Sequence, residues 1–518
     1  MPQNGMKDKS LLDRYLRRIL NSKVYDVAIE SPLETAVALS GKLGNTFLLK
    51  REDLQCVHSF KLRGAYNKIA QLPKEAQQKG IVAASAGNHA QGCALSGKKL
   101  GVKATIVMPK STPDIKVDAV KRFGGNAVLF GSSFDDAYAE AKRLSKEEGL
   151  TLVPPYDDPD VIAGQGTISR ELLNQDTRIT HVFVQVGGGG LAAGVAVYLK
   201  QVLPSVKVIG VEAEGSACLK AAWETGSPVT LDRVSLFADG VAVKRIGDET
   251  FRVLKQNLDD VITCSNDEIC AAIKDIFDDT RAIAEPAGAL SLAGMKKYIS
   301  EHDIHNARMV AILSGANLNF HTLRFVSERC EVGEKREGIL AVTIPEKKGE
   351  FLKFCKVLGN RMVTEFNYRY SDTEKAEIFV SVQLHDGTQE LNRIIGELKA
   401  SGYDVFNMTD NIVAKNHIRY MIGGHAPASV KNERLYSFEF PERQGALLDF
   451  LNKVGTTFNV SMFHYRNHGA EYGRVLCAMQ VEDGQLDLFQ KHLKELGYLW
   501  FDETDNPCYK MFLAPNAQ

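Results

Sequence analysis

Two short segments carry residue types that could do chemistry on a carbonyl group, SFKLRGA (59–65) and SAGNH (85–89). Lys61 lies between Phe60 and Leu62, and a lysine becomes a carbonyl nucleophile when burial or a nearby cation destabilises its ammonium form. The second segment forms a turn after one predicted strand and opens the next helix, which makes an anion site suited to a carboxylate. The simpler alternatives are a solvated lysine and a Ser/Asn helix cap.

A run of four glycines (187–190) follows the predicted strand VFVQV and precedes a helix. Backbone N–H groups in such a loop converge on an anion at the helix N-terminus, and a phosphate is the natural ligand. Gly187, Gly189 and Ala192 also satisfy G-x-G-x-x-A, with Glu212 at the end of the next strand. Spacing alone therefore leaves two ligands equally favoured, a nicotinamide dinucleotide and a smaller phosphate-bearing cofactor, beside the plain alternative of a tight turn.

A third fragment, SGAN (314–317), places Ser314 at the end of the strand MVAIL, where ligands bind in open α/β sheets. Pyridoxal 5′-phosphate uses all the pieces: the glycine run for its phosphate, Lys61 for its aldehyde and Ser314 for its ring nitrogen. The SAGNH turn would hold the carboxylate of an amino-acid substrate. A neutral hydroxyl at the ring nitrogen makes a weaker electron sink, which suits β-elimination better than transamination.

These segments are separated by alternating strands and helices over the first 325 residues. The predicted strands are 81–84, 103–108, 127–130, 151–153, 182–186, 207–212 and 309–313, and the clearest helices are 89–100, 133–148 and 191–203. Strands that alternate with helices of this length predict an α/β domain with a mainly parallel sheet covered on both faces. We expect this domain to span 1–325.

The pattern changes after a charged connector at 326–338. Residues 343–359 align with 439–455 at a constant offset of 96, so the C-terminal part is an internal repeat. Each copy, 339–418 and 434–514, reads as a βαββαβ unit of the ferredoxin-like plan. We expect two units side by side with paired sheets, joined through a stretch around GGHAPASVKNERL.

Composition excludes several classes of protein. The 63 basic and 64 acidic residues balance, so no nucleic-acid or membrane partner is expected. The nine cysteines are scattered without a CxxC pair, which predicts buried thiols in the cytoplasm rather than a disulfide framework or a metal site. Glu212 and Glu214 read as solvated acids near a strand end, and Glu285 reads as a helix cap or a supporting residue of the site. No metal is predicted.

The combination of VHSFKLRGA, SAGNHAQG, VGGGGL and LSGAN resembles the fold type II pyridoxal-phosphate enzymes of the serine/threonine dehydratase branch. With the repeated C-terminal unit, the chain is similar to the biosynthetic threonine deaminase family over essentially its whole length. The resemblance implies that Lys61 binds the cofactor covalently and then acts as the base at the substrate's α-carbon. It implies further roles for three sets of residues: Asn88 at the ring 3-oxygen and Ser314 at the ring nitrogen; Gly187, Gly188, Gly189, Gly190 and Leu191 at the phosphate; Ser85, Ala86, Gly87, Asn88 and His89 at the substrate.

The implied reaction converts L-threonine, with L-serine as a second candidate substrate, to 2-oxobutanoate and ammonia, the first step of isoleucine biosynthesis. The resemblance also implies a cytoplasmic homotetramer that isoleucine inhibits and valine reactivates through ACT-like domains. The candidate effector contacts are Phe351, Tyr368, Leu447 and Tyr465. Related racemases carry a serine where this chain has Ala86, so racemisation is disfavoured. The alternatives are a serine dehydratase or racemase, a nicotinamide-dependent oxidoreductase, and an inactive amino-acid-binding regulatory protein.

Overall fold

The structure is a computed structural model that describes residues 9–347, 349–370, 374–427, 429–441, 445–455, 457–466 and 472–515. Its packing divides the chain after Cys330 into two units. In the described residues no helix is both long enough and apolar enough to cross a membrane.

Unit 1 alternates strands with helices along the chain. Its strands are β1 (Leu33–Thr35), β2 (Thr46–Arg51), β3 (Ile81–Ala84), β4 (Ala104–Met108), β5 (Asn126–Leu129), β6 (Thr151–Leu152), β7 (His181–Gln185), β8 (Lys207–Ala213), β9 (Asp260–Cys264) and β10 (Arg308–Leu313). Its helices are α1 (Lys9–Leu20), α2 (Val37–Leu43), α3 (Lys61–Ala70), α4 (Lys74–Lys79), α5 (Asn88–Leu100), α6 (Asp114–Arg122), α7 (Phe134–Glu148), α8 (Pro159–Gln175), α9 (Gly190–Val202), α10 (Cys218–Thr225), α11 (Asp248–Asn257), α12 (Asn266–Thr280), α13 (Pro286–His302) and α14 (Phe320–Gly333). The segment predicted as a connector is therefore helical up to Gly333.

Two parallel sheets organise unit 1. The larger has the order β1-β2-β10-β7-β8-β9, in which only β1 runs antiparallel to its neighbour, and the smaller has the order β5-β4-β3-β6. Both faces are covered: along β7, Val182 and Val184 pack into one apolar cluster while Phe183 packs into another. In β3, Ile81 and Val82 face opposite clusters in the same way. The α/β prediction with mainly parallel sheets is confirmed.

Unit 2 contains the repeat. The first copy runs β11 (Glu337–Pro345), α15 (Glu350–Leu358), β12 (Val363–Arg369), β13 (Lys375–Gln383), α16 (Gly387–Ala400) and β14 (Asp404–Asn407), followed by α17 (Ile412–Asn416). The second runs β15 (Glu433–Pro441), α18 (Ala446–Phe450), β16 (Asn459–Arg466), β17 (Tyr472–Gln480), α19 (Leu486–Leu496) and β18 (Leu499–Asp502), followed by α20 (Pro507–Phe512). Each copy has the predicted βαββαβ order.

The two copies share one antiparallel sheet of eight strands, β14-β11-β13-β12-β16-β17-β15-β18. The copies meet at β12 and β16, where Phe366 pairs with Tyr465 and Tyr368 with Phe463. One face of the sheet packs on the helices of both copies through alternate residues such as Leu340 and Val475. The two copies thus lie side by side as expected, but their edge strands join into a single sheet instead of two paired sheets.

Candidate active site

The predicted site segments follow three strands of unit 1. The SAGNH turn follows β3, the glycine run follows β7, and Ser314 follows β10. These are the carboxyl ends of parallel strands, the edge at which ligands bind in α/β sheets. Because β3 belongs to one sheet and β7 and β10 to the other, the site segments come from both sheets.

Backbone pairing brings the lysine segment to Ser314. The amide of Phe60 donates to the carbonyl of Ser314 at 3.1 Å, and the amide of Ala316 donates to the carbonyl of His58 at 3.0 Å. Ser59 and Gly315 form an antiparallel bridge between these two bonds. Lys61 opens α3 immediately after the bridge, so its position is set by the loop that carries Ser314.

Lys61 has the environment of a nucleophilic lysine. Its Nζ donates to the carbonyl oxygen of Pro155 at 3.0 Å. Burial lowers its pKa to about 8, while Cys93 and Glu285 oppose the shift. About a tenth of Lys61 is therefore the neutral amine at pH 7, far more than of an exposed lysine, and only the amine attacks carbonyl carbon or accepts a proton.

A buried ion network fixes the helix that carries Lys61. The guanidinium of Arg63, two residues further on, has no exposed surface and binds the carboxylates of Glu52 and Glu171 at 2.8 and 2.5 Å. Lys50 joins the same network at 2.7 Å from Glu171. Removing one member of such a network leaves a buried charge without its partner, so the start of α3 is rigidly placed.

The glycine loop is buried and tightly enclosed. Gly189 has φ +91°, a conformation that favours glycine. A Cβ on Gly187 would lie 2.9 Å from the Cα of Val241, and one on Gly188 would lie 2.1 Å from the ring of Tyr156. Within the described parts of the chain, no acceptor takes a hydrogen bond from the backbone N–H groups of residues 187–191. These unpaired amides at the start of α9 form a cradle for an anion.

The SAGNH turn is held by local hydrogen bonds. The amide of Gly87 donates to Oγ of Ser85 at 3.2 Å, and Gly87 rather than a side chain occupies the cap position of α5. Nε2 of His89 donates to the carbonyl of Val153 at 2.9 Å. Burial lowers the pKa of His89 to about 3, with Lys61 adding to the shift, so the ring is neutral. The ring N–H is thus already used, and the backbone N–H of His89 is its free donor toward a ligand.

Asn88 lies in a network of amides and one carboxyl group. Its Nδ2 donates to Oε1 of Glu285 at 2.7 Å, and its Oδ1 accepts from Nδ2 of Asn317 at 2.7 Å. Asn317 also donates its backbone N–H to Oε2 of Glu285 at 3.1 Å. This network ties the end of β3 to the end of β10.

Some functional neighbours were not found from the sequence. Tyr156, Asn317 and Val241 contact the loops described above but lie in segments without a recognisable motif, except that Asn317 ends SGAN. The interpretation of Glu212 as a solvated acid was wrong, because its side chain is fully buried and accepts the N–H groups of Leu219 and Lys220 at 2.7 Å.

The four candidate effector residues line two cavities of unit 2. The first is lined by Pro441, Gly445, Leu447 and Tyr465 of the second copy and by Leu358, Arg361 and Val363 of the first. The second is lined by Phe351 and Tyr368 of the first copy and by Leu451, Gly455 and Asn459 of the second. The offset of 96 relates the two sets of lining residues, for example Phe351 to Leu447 and Val363 to Asn459. The cavities are therefore equivalent positions of the repeat.

The residues present in unit 1 fit pyridoxal phosphate. They supply a buried amine at Lys61, an anion cradle at the glycine loop, and Asn88 and Ser314 directly after β3 and β10. A family model described as pyridoxal-phosphate dependent enzyme matches residues 24–315. A second model, the C-terminal regulatory domain of threonine dehydratase, matches residues 328–418 and again 424–513. Unit 1 thus has the fold and site of a pyridoxal-phosphate-dependent lyase, which confirms the predicted cofactor and replaces the nicotinamide alternative.

Similar whole proteins show which family of pyridoxal-phosphate-dependent lyases the chain belongs to. The biosynthetic L-threonine dehydratases of Pasteurella multocida and Escherichia coli are each 59% identical over 96% of this chain and 97% of their own length. The processed form of threonine deaminase isoform 2 from Solanum lycopersicum aligns at TM-score 0.62 and 50% identity over 63% of this chain and 95% of that one. Maize serine racemase aligns at TM-score 0.56 and 31% identity over 62% and 97%. The chain belongs to the biosynthetic threonine dehydratase family, as the resemblance predicted.

Proposed function

We propose that the protein deaminates L-threonine to 2-oxobutanoate and ammonia by β-elimination, as the first step of isoleucine biosynthesis. The observation that carries the proposal is the amine of Lys61, with its pKa lowered to about 8 beside the SAGNH turn. The similarity to biosynthetic L-threonine dehydratases at 59% identity supports the choice of threonine. Loss of the β-hydroxyl as water leaves an enamine, which tautomerises and takes up water to release the oxoacid and ammonia.

In this proposal the chain's own residues bind the substrate and move one proton. The backbone N–H groups at Ser85 to His89 bind the carboxylate at the N-terminal end of α5. Lys61 in its amine form removes the proton from the α-carbon. Bound pyridoxal phosphate supplies the electron sink for the broken C–H bond, held at its phosphate by residues 187–191 and at its ring by Asn88 and Ser314.

The alternative of a serine racemase is disfavoured by Ala86. A racemase must return a proton to the opposite face of the α-carbon, and a methyl side chain has no proton to give. A serine dehydratase differs from the proposed enzyme only by one methyl group of its substrate, which is worth about 1–3 kcal/mol in a hydrophobic pocket.

We expect L-threonine to be deaminated with a kcat/KM about 10-fold or more above that for L-serine, because a pocket for the extra methyl group gains its transfer free energy. Chromatography of 2-oxobutanoate and pyruvate from the purified holoenzyme measures both rates. Racemisation is followed in parallel as D-amino acid. A higher kcat/KM for L-serine, or D-serine as the main product, would refute the proposal in favour of the alternative.

We propose that both cavities of unit 2 bind branched-chain amino acids, isoleucine as inhibitor and valine as its antagonist. A zwitterionic effector needs partners for both charges. Arg361 lines the first cavity, where its guanidinium is held by the carbonyl of Leu358 at 2.8 Å and by Glu397 at 3.0 Å. In the second cavity Glu346 accepts the hydroxyl of Tyr368 at 2.8 Å, and burial raises the pKa of that carboxyl group.

Each cavity is built from both copies, so an effector bound there would contact the turn of one copy and the helix end of the other. It would favour one relative arrangement of the copies across β12 and β16. The linkage is reciprocal, so threonine bound in unit 1 must weaken isoleucine binding by the same factor.

Filling the first cavity is expected to remove the response to isoleucine. In Leu447→Trp the larger ring occupies the space that the effector's side chain would take, because Leu447 lines that cavity. We expect wild-type threonine saturation to become sigmoidal with isoleucine, and the variant's to stay hyperbolic with its kcat unchanged. Steady-state kinetics with and without isoleucine measure both.

The matched control is Leu499→Trp, the same change on edge strand β18, where the side chain is half exposed and away from both cavities. It should keep the wild-type response. Full isoleucine inhibition of Leu447→Trp would exclude the first cavity, and a wild-type enzyme without any response would remove the regulatory proposal and leave the catalytic one.

We also propose that the enzyme works as a homotetramer in the cytoplasm, as the family resemblance implies. The near balance of acidic and basic residues supports small zwitterionic ligands rather than nucleic acid or membrane lipids as partners.

A further inference from the structure

Glu285 stands at the junction of the two loops that flank the proposed cofactor ring. Its carboxyl group accepts from Asn88 through Oε1 and from the backbone of Asn317 through Oε2, at 2.7 and 3.1 Å. Its own backbone N–H donates to the carbonyl of Gly315 at 3.1 Å. One residue therefore contacts the loop after β3 and the loop after β10, which belong to different sheets.

We infer that Glu285 is a positioning residue that orients the Asn88 amide and holds the Ser314 loop against the cofactor ring. The inference rests on the proposed function, in which Asn88 and Ser314 contact that ring. It deepens that function by assigning a role to a carboxyl group that does not itself reach substrate or reacting atoms.

The local role of a helix cap does not explain Glu285. It precedes Pro286, the first residue of α13, yet its side chain forms no hydrogen bond with that helix. By contrast, Ser133 and Ser265 cap α7 and α12 with side-chain bonds to the helix backbone. Glu285 has turned its carboxyl group away from the helix and toward the site.

The burial of Glu285 also supports a role as a positioning residue. Its side chain is 3% exposed, and in the described part of the chain no lysine, arginine or histidine forms an ion pair with it. A buried carboxyl group without a cation costs free energy. Such groups concentrate at functional sites, and this one has its pKa raised to about 7 by burial and by Asp239.

The network decides which way the Asn88 amide points. Oδ1 is occupied by Nδ2 of Asn317, and one hydrogen of Nδ2 is occupied by Glu285. The remaining N–H is the only donor left on the side chain, so Asn88 presents a donor to the ring oxygen. Without the carboxyl group the amide can rotate by 180° and present an acceptor instead.

The close fit of Gly315 supports the same role for the Ser314 loop. A Cβ on Gly315 would lie 2.5 Å from Oε1 of Glu285 and 3.2 Å from the carbonyl of His58. The loop can therefore pass between Glu285 and the lysine segment only with glycine at this position. The carboxyl group and the bridge from Ser59 hold it from two sides.

The test compares Glu285→Gln with Glu212→Gln in the full-length protein. Both residues are buried carboxyl groups that accept two N–H donors, but Glu212 holds the start of α10 and none of the ring contacts. In Glu285→Gln the amide cannot accept from both Asn88 and Asn317. We expect pyridoxal phosphate to bind about tenfold or more weakly and its visible absorption band to shift, with Glu212→Gln unchanged in both.

Asn317→Ala keeps the test decisive if Glu285→Gln does not fold, because it breaks the same network from the other loop. It should weaken pyridoxal phosphate binding and shift the band in the same direction. Wild-type affinity and an unshifted band in either folded variant would overturn the inference. A wild-type protein that binds pyridoxal phosphate but leaves threonine unchanged refutes the proposed function separately, while the affinities of the variants still decide the role of Glu285.

Discussion

Lys61→Ala is expected to lower threonine deamination by at least about 10³-fold and to yield a protein that does not turn yellow with pyridoxal phosphate. The amine of Lys61 is the only group proposed both to bind the cofactor covalently and to remove the α-proton. Among the residues that the structure describes, its side chain has one hydrogen bond, to the carbonyl of Pro155, so the methyl group of alanine disturbs little else. Activity assays and visible absorbance of the dialysed protein measure the two losses.

The matched control for this variant is Lys68→Ala on the same helix. Lys68 pairs with Asp158 and Asp160 at 2.8 and 3.4 Å near the surface and has no contact with the proposed cofactor loops. It should remain yellow and active. An active Lys61→Ala protein would contradict the proposed base, and one that still turns yellow would contradict the covalent attachment, provided that its circular dichroism matches the wild type.

The loops of the site could be predicted from sequence because each one directly follows a strand that is recognisable by itself. The runs at 81–84, 182–186 and 309–313 are short, apolar and β-branched, and a parallel sheet places their carboxyl ends at one edge. The structure shifts these bounds by one residue at most. Strand order was not needed to bring Asn88, Gly187 and Ser314 together in the prediction.

The contacts of Glu285 and Glu212 could not be predicted from the local sequence. A glutamate just before a helix reads as a cap, because local sequence contains only local partners. The real partners of Glu285 lie 197 and 32 residues away, and which of them it meets depends on how two sheets pack. Glu212 is misread for a related reason: at the end of a strand, burial depends on what packs over it, here the start of α10.

The internal repeat predicts the elements of unit 2 but not how its two copies pair. The offset of 96 predicts equivalent elements, since the same pattern must make the same βαββαβ unit twice. It does not say which edges meet, because the four strands of each copy have two free edges. The pairing of β12 with β16 settles this, and it places Tyr368 and Tyr465 near the two equivalent cavities.

Gly188→Ala is expected to weaken pyridoxal phosphate binding about 100-fold or more, which is the order of the loss when one hydrogen-bond donor to an oxyanion is removed. The new Cβ would lie 2.1 Å from the ring of Tyr156. The loop cannot move away from the ring, because Oγ1 of Thr250 donates a hydrogen bond to the carbonyl of Gly188 at 2.7 Å. Either the ring leaves or the amides of the cradle turn, and a spectral titration with the cofactor measures the loss.

Gly396→Ala supplies the control for the substitution itself. Gly396 lies within α16 with no atom within 4 Å of an added Cβ, so alanine should raise the free energy of unfolding by about 0.5–1 kcal/mol and leave cofactor affinity unchanged. Gly188→Ala, by contrast, should lower the free energy of unfolding by about 1–3 kcal/mol through overpacking.

The double variant Gly188→Ala with Tyr156→Ala separates steric from conformational causes. Gly188 does not have a positive φ, so alanine is strained there by the ring and not by its own backbone. Removing the ring should therefore recover much of the cofactor affinity, giving a strong coupling between the two changes in a double-mutant cycle. If affinity stays as low as in Gly188→Ala alone, the clash with Tyr156 is not the cause of the loss, and the steric explanation is wrong.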